Sequence, residues 1–243
     1  MVESRLAPVA GVGWREDRRS ADPAIRLVIF DFDGVLADTV EDIADSANTV
    51  RATYRLPSLP VERVCAAIRG GAEGIMRSLL PDDYQSELPA AASLFTAEYA
   101  KCYRVHTHLY PGVAKTLADL QADGLVMAVA TNKVEAVTRD LTRILGIERC
   151  FAMVVGPESV SHRKPDPETL EVILKHLGVS PGEALMVGDT TTDIEAGRAA
   201  HVATCAVLYG YGSREEIEGA KPDHFLESFE GLPDLLDAIE RLT

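Results

Sequence analysis

The chain has 243 residues, of which 47% are hydrophobic, and its formal net charge is -14. This length allows one large domain or a core domain with a small insertion, and the hydrophobic content is too high for a disordered chain. The acidic balance argues against nucleic acid or an anionic membrane as a partner. A small anionic substrate stays possible, because a metal ion or a lysine can reverse the field inside one cleft.

The first 24 residues and the cysteines bear on location. Residues 1–24 combine arginines with acidic residues and a short apolar stretch, which predicts a flexible N-terminal tail and not a cleaved leader. No segment has the roughly 20 apolar residues of a membrane-spanning helix. The widely spaced Cys65, Cys102, Cys150 and Cys205 form no Cys-x-x-Cys pair, which favours reduced thiols in a cytoplasmic protein. The sequence does not distinguish a monomer from a homodimer.

The first predicted strand ends in two carboxylates. Residues 27–30 form an apolar run typical of a buried strand, and Asp31 and Asp33 follow it. Side chains two positions apart on a strand point to the same side, and like charges buried together require a cation or a proton. A divalent metal ion would leave one carboxylate able to act as a nucleophile. A hairpin turn at Asp33-Gly34 would need a second strand at once, but residues 40–55 have helical spacing instead.

The remaining elements predict a fold of the α/β class. Residues 38–108 have helical patterns divided by proline and glycine into about four helices, which predicts a small helical-bundle cap domain inserted into a core of residues 25–37 and 109–243. In the core, short apolar strands alternate with helices, which predicts a doubly wound, parallel, Rossmann-like sheet. The further strands are predicted at 125–130, 152–155, 184–187 and 203–208, and the helices at 112–122, 134–145, 167–177 and 192–199.

Polar side chains follow or lie between the predicted strands. Ligands of an open parallel sheet bind at the carboxyl ends of its strands, so we expect these side chains to converge. They are carboxylates, a hydroxyl, an amide and a lysine: Asp31, Asp33, Thr131, Asn132, Lys164, Asp189 and Asp193. This composition is typical of a site that holds Mg²⁺ and a phosphoryl group.

Four ordered motifs resemble those of the haloacid dehalogenase superfamily. They are Asp31-Phe32-Asp33-Gly34, Ala130-Thr131-Asn132-Lys133, Lys164-Pro165-Asp166-Pro167 and Gly188-Asp189-Thr190-Thr191-Thr192-Asp193. Within the superfamily, Thr-Asn-Lys, residues 110–113 and residues 209–212 look most like phosphoglycolate phosphatases. Two positions depart from that pattern, since His201 stands where those enzymes usually have glycine and Asp166 where many have histidine.

The resemblance implies a Mg²⁺-dependent phosphatase that forms an aspartyl-phosphate on Asp31. Asp33 would protonate the leaving group and then activate water. The resemblance also implies that the metal binds Asp31, the backbone carbonyl of Asp33 and Asp189, and that it binds Asp193 directly or through water. Alone, Asp193 could cap the helix that begins near it, and it could serve both purposes.

Three further residues are assigned to the phosphate. Thr131 and the backbone at Asn132 would bind phosphate oxygens, and Lys164 would neutralise charge on the phosphate and on Asp31. The resemblance thus implies that Thr131 and Lys164 are catalytic as well as substrate-binding residues. Taken alone, Thr131 could merely cap the following helix, and Lys164 could be a solvated lysine.

The expected substrate is a small phosphorylated metabolite, with 2-phosphoglycolate as the first candidate. The alternatives are a phosphosugar mutase resembling β-phosphoglucomutase, an inorganic pyrophosphatase, and a catalytically silent binding protein that keeps the fold. Selection of the leaving group falls to the helical insertion, where Arg69 offers a bidentate donor for a substrate carboxylate. Arg69 could equally end its helix as a favourable cation that meets only water.

Overall fold

The computed structural model describes residues 25–242, and the tail expected at residues 1–24 lies outside them. The chain divides into two compact units. The larger unit contains the described residues up to Leu36 and those from Leu109 onward, and the smaller unit is Ala37–His108.

The strands and helices are close to those predicted, with additions. The strands are β1 (Leu27–Phe30), β2 (Ala37–Asp38), β3 (His108–Leu109), β4 (Val126–Ala130), β5 (Met153–Val155), β6 (Ala184–Gly188), β7 (Ala203–Val207) and β8 (His224–Leu226). The helices are α1 (Val40–Thr53), α2 (Val61–Cys65), α3 (Gly71–Leu79), α4 (Leu88–Cys102), α5 (Val113–Ala122), α6 (Glu135–Ile144), α7 (Glu168–Leu177), α8 (Thr191–Ala199), α9 (Arg214–Ala220) and α10 (Leu232–Leu242). Within residues 25–242, every helix is too short or too polar to cross a lipid bilayer.

A six-stranded sheet in the order β5-β4-β1-β6-β7-β8 forms the centre of the larger unit. All five neighbouring pairs are parallel, which confirms the predicted Rossmann-like α/β core. Along the chain, β4 and β5 are added on one side of β1, and β6, β7 and β8 are then added on its other side. The carboxyl ends of β1 and β6 therefore flank the topological switch point, where α/β sheets of this kind bind ligands.

Both faces of the sheet are covered by apolar side chains. Leu27 and Ile29 of β1 lie in one buried cluster with Leu170 and Ile173 of α7, while the ring of Phe30 packs against Phe229 at a centroid distance of 5.6 Å. Full burial of each such side chain contributes roughly 1.5–3 kcal/mol. The sheet is thus a rigid support that fixes the positions of the residues at its carboxyl edge.

The smaller unit contains the four helices expected for it, α1 to α4, with a short 3₁₀ stretch at Asp82–Glu87. Its two ends are joined through Asp42 of α1, whose buried carboxylate accepts hydrogen bonds from the amides of His106 and Thr107 at 3.0 Å. Gly70, the N-cap of α3, and Gly71, its first residue, both have φ of +68°.

Candidate active site

The carboxylates of Asp31 and Asp189 follow β1 and β6 directly. The amide of Asp31 still donates to the carbonyl of Val187 at 2.9 Å, so Asp31 continues the sheet ladder by one residue. Together with Asp193 in the first turn of α8, these residues present carboxylate oxygens within 4.8 Å of one another. The structure thus brings together three of the four acids that the sequence assigns to this edge.

Lys164 lies between two of these acids. Its ammonium is 3.2 Å from Oδ2 of Asp31 and 2.6 Å from Oδ1 of Asp193, and the residue is only 3% exposed. The alternative of a solvated lysine is therefore wrong. Burial alone would lower the pKa of Lys164, but the charges of Asp193 and Asp31 raise it above its ordinary value. Lys164 consequently remains a cation.

One ammonium does not balance this much negative charge. Burial raises the pKa of Asp31 to about 7, against the opposing effect of Lys164, and repulsion from Asp193 and Asp33 contributes further. Burial also raises the pKa of Asp189 well above its usual range, with repulsion from Asp193 and Asp31 as the next causes. Such a site favours uptake of either protons or a further cation.

The donor atoms fit a divalent cation. Oδ2 of Asp189 accepts from the amide of Tyr211 at 2.7 Å, whereas its Oδ1 is buried without a hydrogen-bond partner among the described residues. A buried carboxylate oxygen without a partner is costly and requires an explanation. Hard oxygen ligands and an excess of negative charge are what Mg²⁺ prefers, and these residues therefore fit the predicted metal.

Two glycines let the backbone close around Asp189. Gly34 has φ of +78°, and a Cβ there would overlap the Asp189 carboxylate. A Cβ on Gly210 would lie 2.6 Å from both Oδ2 of Asp189 and the carbonyl oxygen of Gly34. The loop at residues 209–212 is also held at Tyr209, whose hydroxyl donates to the carbonyl of Val35 at 2.9 Å. The motif glycines are thus required by close approach to one carboxylate.

Asp33 lies outside this three-carboxylate group and has its own cation. Nζ of Lys133 donates to Oδ1 and Oδ2 of Asp33 at 2.8 and 3.0 Å, and the two side chains are 7% and 15% exposed. Lys133 had no expected role on the basis of the sequence. Its place as the third residue of the Thr-Asn-Lys motif was the signal that could have revealed it.

The side chains of Thr131 and Asn132 form hydrogen bonds with the backbone of the loops around the site. Oγ1 of Thr131 accepts from the amide of Lys133 at 3.1 Å, and the N-cap residue of α6 is Val134, so Thr131 is not the helix cap. The side-chain amide of Asn132 donates to the carbonyl of Lys164 at 2.9 Å. Asn132 therefore ties the loop that carries Lys164 to the loop that carries Thr131.

Asp193 does cap its helix. Thr190 is the N-cap residue of α8. Its amide and hydroxyl donate to Oδ2 of Asp193 at 3.1 and 2.7 Å, and the two residues form a capping box at the start of the helix. The other oxygen of Asp193, Oδ1, accepts a hydrogen bond from Nζ of Lys164. Both oxygens of Asp193 thus have protein partners, in contrast to Asp189.

Arg69 belongs to the smaller unit and lies half-buried in the turn between α2 and α3. Helix α2 ends at Cys65, so the alternative in which Arg69 ends its helix as a favourable cation is wrong. The amide of Arg69 donates to the carbonyl of Ala67 at 2.8 Å. Its assignment to a substrate carboxylate stays a prediction.

The chain belongs to the haloacid dehalogenase-like hydrolase family, whose model matches residues 28–207. Phosphoglycolate phosphatase 1 of Pseudomonas aeruginosa is 33% identical over 222 residues, and the match covers 89% of this chain and 80% of that protein. The phosphoglycolate phosphatase of Escherichia coli K12 is 32% identical over 236 residues, with 88% of this chain and 92% of that protein covered.

A solved structure gives the same result. The crystal structure of a predicted phosphoglycolate phosphatase from Haemophilus somnus 129pt matches with a TM-score of 0.80 and 27% identity, covering 89% of this chain and 99% of that one. These similarities confirm the family and the enzyme class, a phosphoric monoester hydrolase, that the four motifs predict.

Proposed function

We propose that this protein is a Mg²⁺-dependent phosphatase that hydrolyses a small phosphorylated metabolite, with 2-phosphoglycolate as the first candidate. The proposal depends above all on the buried ammonium of Lys164 between Asp31 and Asp193, next to the partnerless oxygen of Asp189. This arrangement places a carboxylate nucleophile next to a positive charge that can bind a phosphate group. The names of the relatives support the choice of ester.

Asp31 is the proposed nucleophile. Its carboxylate attacks phosphorus, the bond from phosphorus to the ester oxygen breaks, and an aspartyl-phosphate forms. Because burial raises the pKa of Asp31 to about 7, the carboxylate requires positive charge nearby to stay anionic at neutral pH, and Lys164 supplies part of it. Asp31, Asp189 and the backbone carbonyl of Asp33 would hold Mg²⁺, and Asp193 would bind it directly or through water; the ion would supply the rest of this positive charge and polarise the phosphate.

Asp33 and Thr131 complete the proposed reaction. Asp33 gives a proton to the leaving oxygen, and it then takes one from the water that attacks phosphorus and releases Asp31. The Thr131 hydroxyl accepts a hydrogen bond from the amide of Lys133, so its own proton can be directed to a phosphate oxygen. Asn132, which holds the carbonyl of Lys164, keeps this phosphate-binding backbone in register with the ammonium.

Arg69 is the proposed contact of the smaller unit with a substrate carboxylate. A guanidinium presents a planar pair of donors that suits such a group. Its place in a turn, and not in the last turn of α2, supports this assignment. We also infer a cytoplasmic location, which is supported by the wide spacing in sequence of the four cysteines, Cys65, Cys102, Cys150 and Cys205.

Phosphate release from a panel of phosphate compounds, with and without Mg²⁺, tests the proposal. The panel consists of 2-phosphoglycolate, ethyl phosphate, a hexose 1-phosphate and pyrophosphate. We expect Mg²⁺-dependent release that is fastest from 2-phosphoglycolate. Interconversion of the sugar phosphate without release would indicate the mutase, and preference for pyrophosphate would indicate a pyrophosphatase. No turnover of any ester would leave a silent binding protein.

A further inference from the structure

We propose that Lys133 is a specificity-determining residue that binds an anionic group on the leaving group, an inference that rests on the proposed phosphatase function. Two ammonium groups lie in the described part of the site, and they contact different carboxylates. Lys164 contacts the proposed nucleophile Asp31, whereas Lys133 contacts Asp33, the proposed leaving-group acid. Lys133 is therefore on the side of the site where the leaving group departs.

The distances restrict what Lys133 can recognise. Asp33 must come within about 3 Å of the ester oxygen to give it a proton, and Nζ of Lys133 is 2.8 Å from Oδ1 of Asp33. The ammonium consequently lies within about 6 Å of the ester oxygen, by addition of these two contacts. A carboxylate joined to the ester oxygen through a single carbon falls within this span. The predicted substrate class is thus phosphate esters that bear a carboxylate on the carbon attached to the ester oxygen.

Recognition explains the Lys133–Asp33 pair better than stability does. Both side chains are largely buried, and a buried ion pair is often no more stabilising than apolar residues of the same volume, since both charges lose water. The amide of Lys133 also donates to Thr131, which fixes the lysine next to the proposed phosphate-binding turn. Charge-assisted hydrogen bonds are roughly twice as strong as neutral ones, so an ammonium here favours a carboxylate over a hydroxyl.

The test compares two esters of similar size. Ethyl phosphate has a methyl group where 2-phosphoglycolate has its carboxylate, so the ratio of their kcat/KM values isolates recognition of the charge. Lys133→Met removes the ammonium and keeps the length of the side chain. We expect the preference for 2-phosphoglycolate to fall by about 10- to 100-fold, as for loss of a hydrogen bond to a charged group. A decrease in kcat/KM that is common to both esters reflects the altered surroundings of Asp33, and it cancels in the ratio.

Two controls make the result interpretable. Lys175→Met removes a lysine from the exposed side of α7 and should leave the ratio unchanged. Lys133→Arg keeps the charge and should retain most of the preference, and it also tests folding at this position. Inhibition by glycolate gives a readout without turnover, and it should weaken in Lys133→Met but not in Lys175→Met.

A preference that persists in Lys133→Met would overturn the inference, while turnover by the unaltered protein would leave the proposed function standing. The inference is also overturned if Arg69→Ala loses the preference and Lys133→Met keeps it. If the unaltered protein hydrolyses neither ester, the proposed function fails and the inference fails with it.

Discussion

The amide of Tyr211 donates to one carboxylate oxygen of Asp189 at 2.7 Å, and the other oxygen of Asp189 is buried without a partner in the described part of the chain. The backbone of a loop far along the sequence thus orients this carboxylate and leaves one oxygen for a ligand. Partners of this kind set the direction of a metal ligand and contribute strongly to metal affinity. Asp189 is therefore both a proposed ligand and a residue whose surroundings can be altered separately.

Gly210→Ala should weaken metal binding without touching a ligand. The added Cβ would lie 2.6 Å from Oδ2 of Asp189, so the loop or the carboxylate must move. We expect the dissociation constant of Mg²⁺ to rise about 10- to 100-fold, measured by titration calorimetry on the metal-free protein. Gly182→Ala is the matched control, because a Cβ there meets nothing within 4 Å. Equal affinities in the two variants would refute the role given to this loop.

Asp189→Asn should have opposite effects with and without metal. The amide side chain keeps an acceptor for Tyr211 but removes a charge that the buried site holds at a cost. We expect the metal-free variant to gain on the order of 1 kcal/mol, or about 2–4 °C in Tm, and to lose most of the stabilisation by Mg²⁺. Thermal unfolding in a chelator and in excess Mg²⁺ measures both. A variant that Mg²⁺ stabilises as much as the unaltered protein would show that Asp189 is not a ligand.

The stabilisation by Mg²⁺ should grow with pH. The pKa of Asp31 rises from 3.8 to about 7 on folding, and that of Asp189 is also raised, so the folded protein holds protons that the unfolded chain releases. The contribution of Asp31 to stability is complete below about pH 4 and is lost as the pH rises through 7, and the contribution of Asp189 is lost in the same direction. Metal must displace the same protons. Tm measured with and without Mg²⁺ across this window should diverge as pH rises, and a constant difference would contradict the pKa shifts.

The sequence predicted the parts of the fold that are buried and local. The apolar run of β1 and the two carboxylates after it identify a central strand and its functional edge, because a buried strand requires continuous apolar residues. Strand β8 and helices α9 and α10 were missed. Strand β8 has only three residues at the sheet edge, and its Phe225 is 45% exposed. Edge pairing of this kind depends on its neighbour β7 more than on its own composition.

The site residues were predictable by type, whereas their partners were not. Contacts such as Lys133 with Asp33, and Tyr211 with Asp189, join residues far apart in sequence, and only the folded sheet brings them together. His201 illustrates the limit differently. Its φ of +58° lies in the left-handed region that favours glycine, so a histidine stands where the backbone has a conformation that suits glycine better.

Replacement of Asp31 is the most direct test of the central claim that this carboxylate is the nucleophile. Asp31→Asn keeps the shape of the side chain and removes its charge, so the fold should persist while phosphate release from 2-phosphoglycolate in excess Mg²⁺ falls by about a thousandfold or more. Asp237→Asn, on the exposed surface of α10, is the control and should retain full activity. We expect a folded, inactive Asp31→Asn protein, and a folded variant that keeps more than a small fraction of the activity would contradict the assignment of Asp31 as the nucleophile.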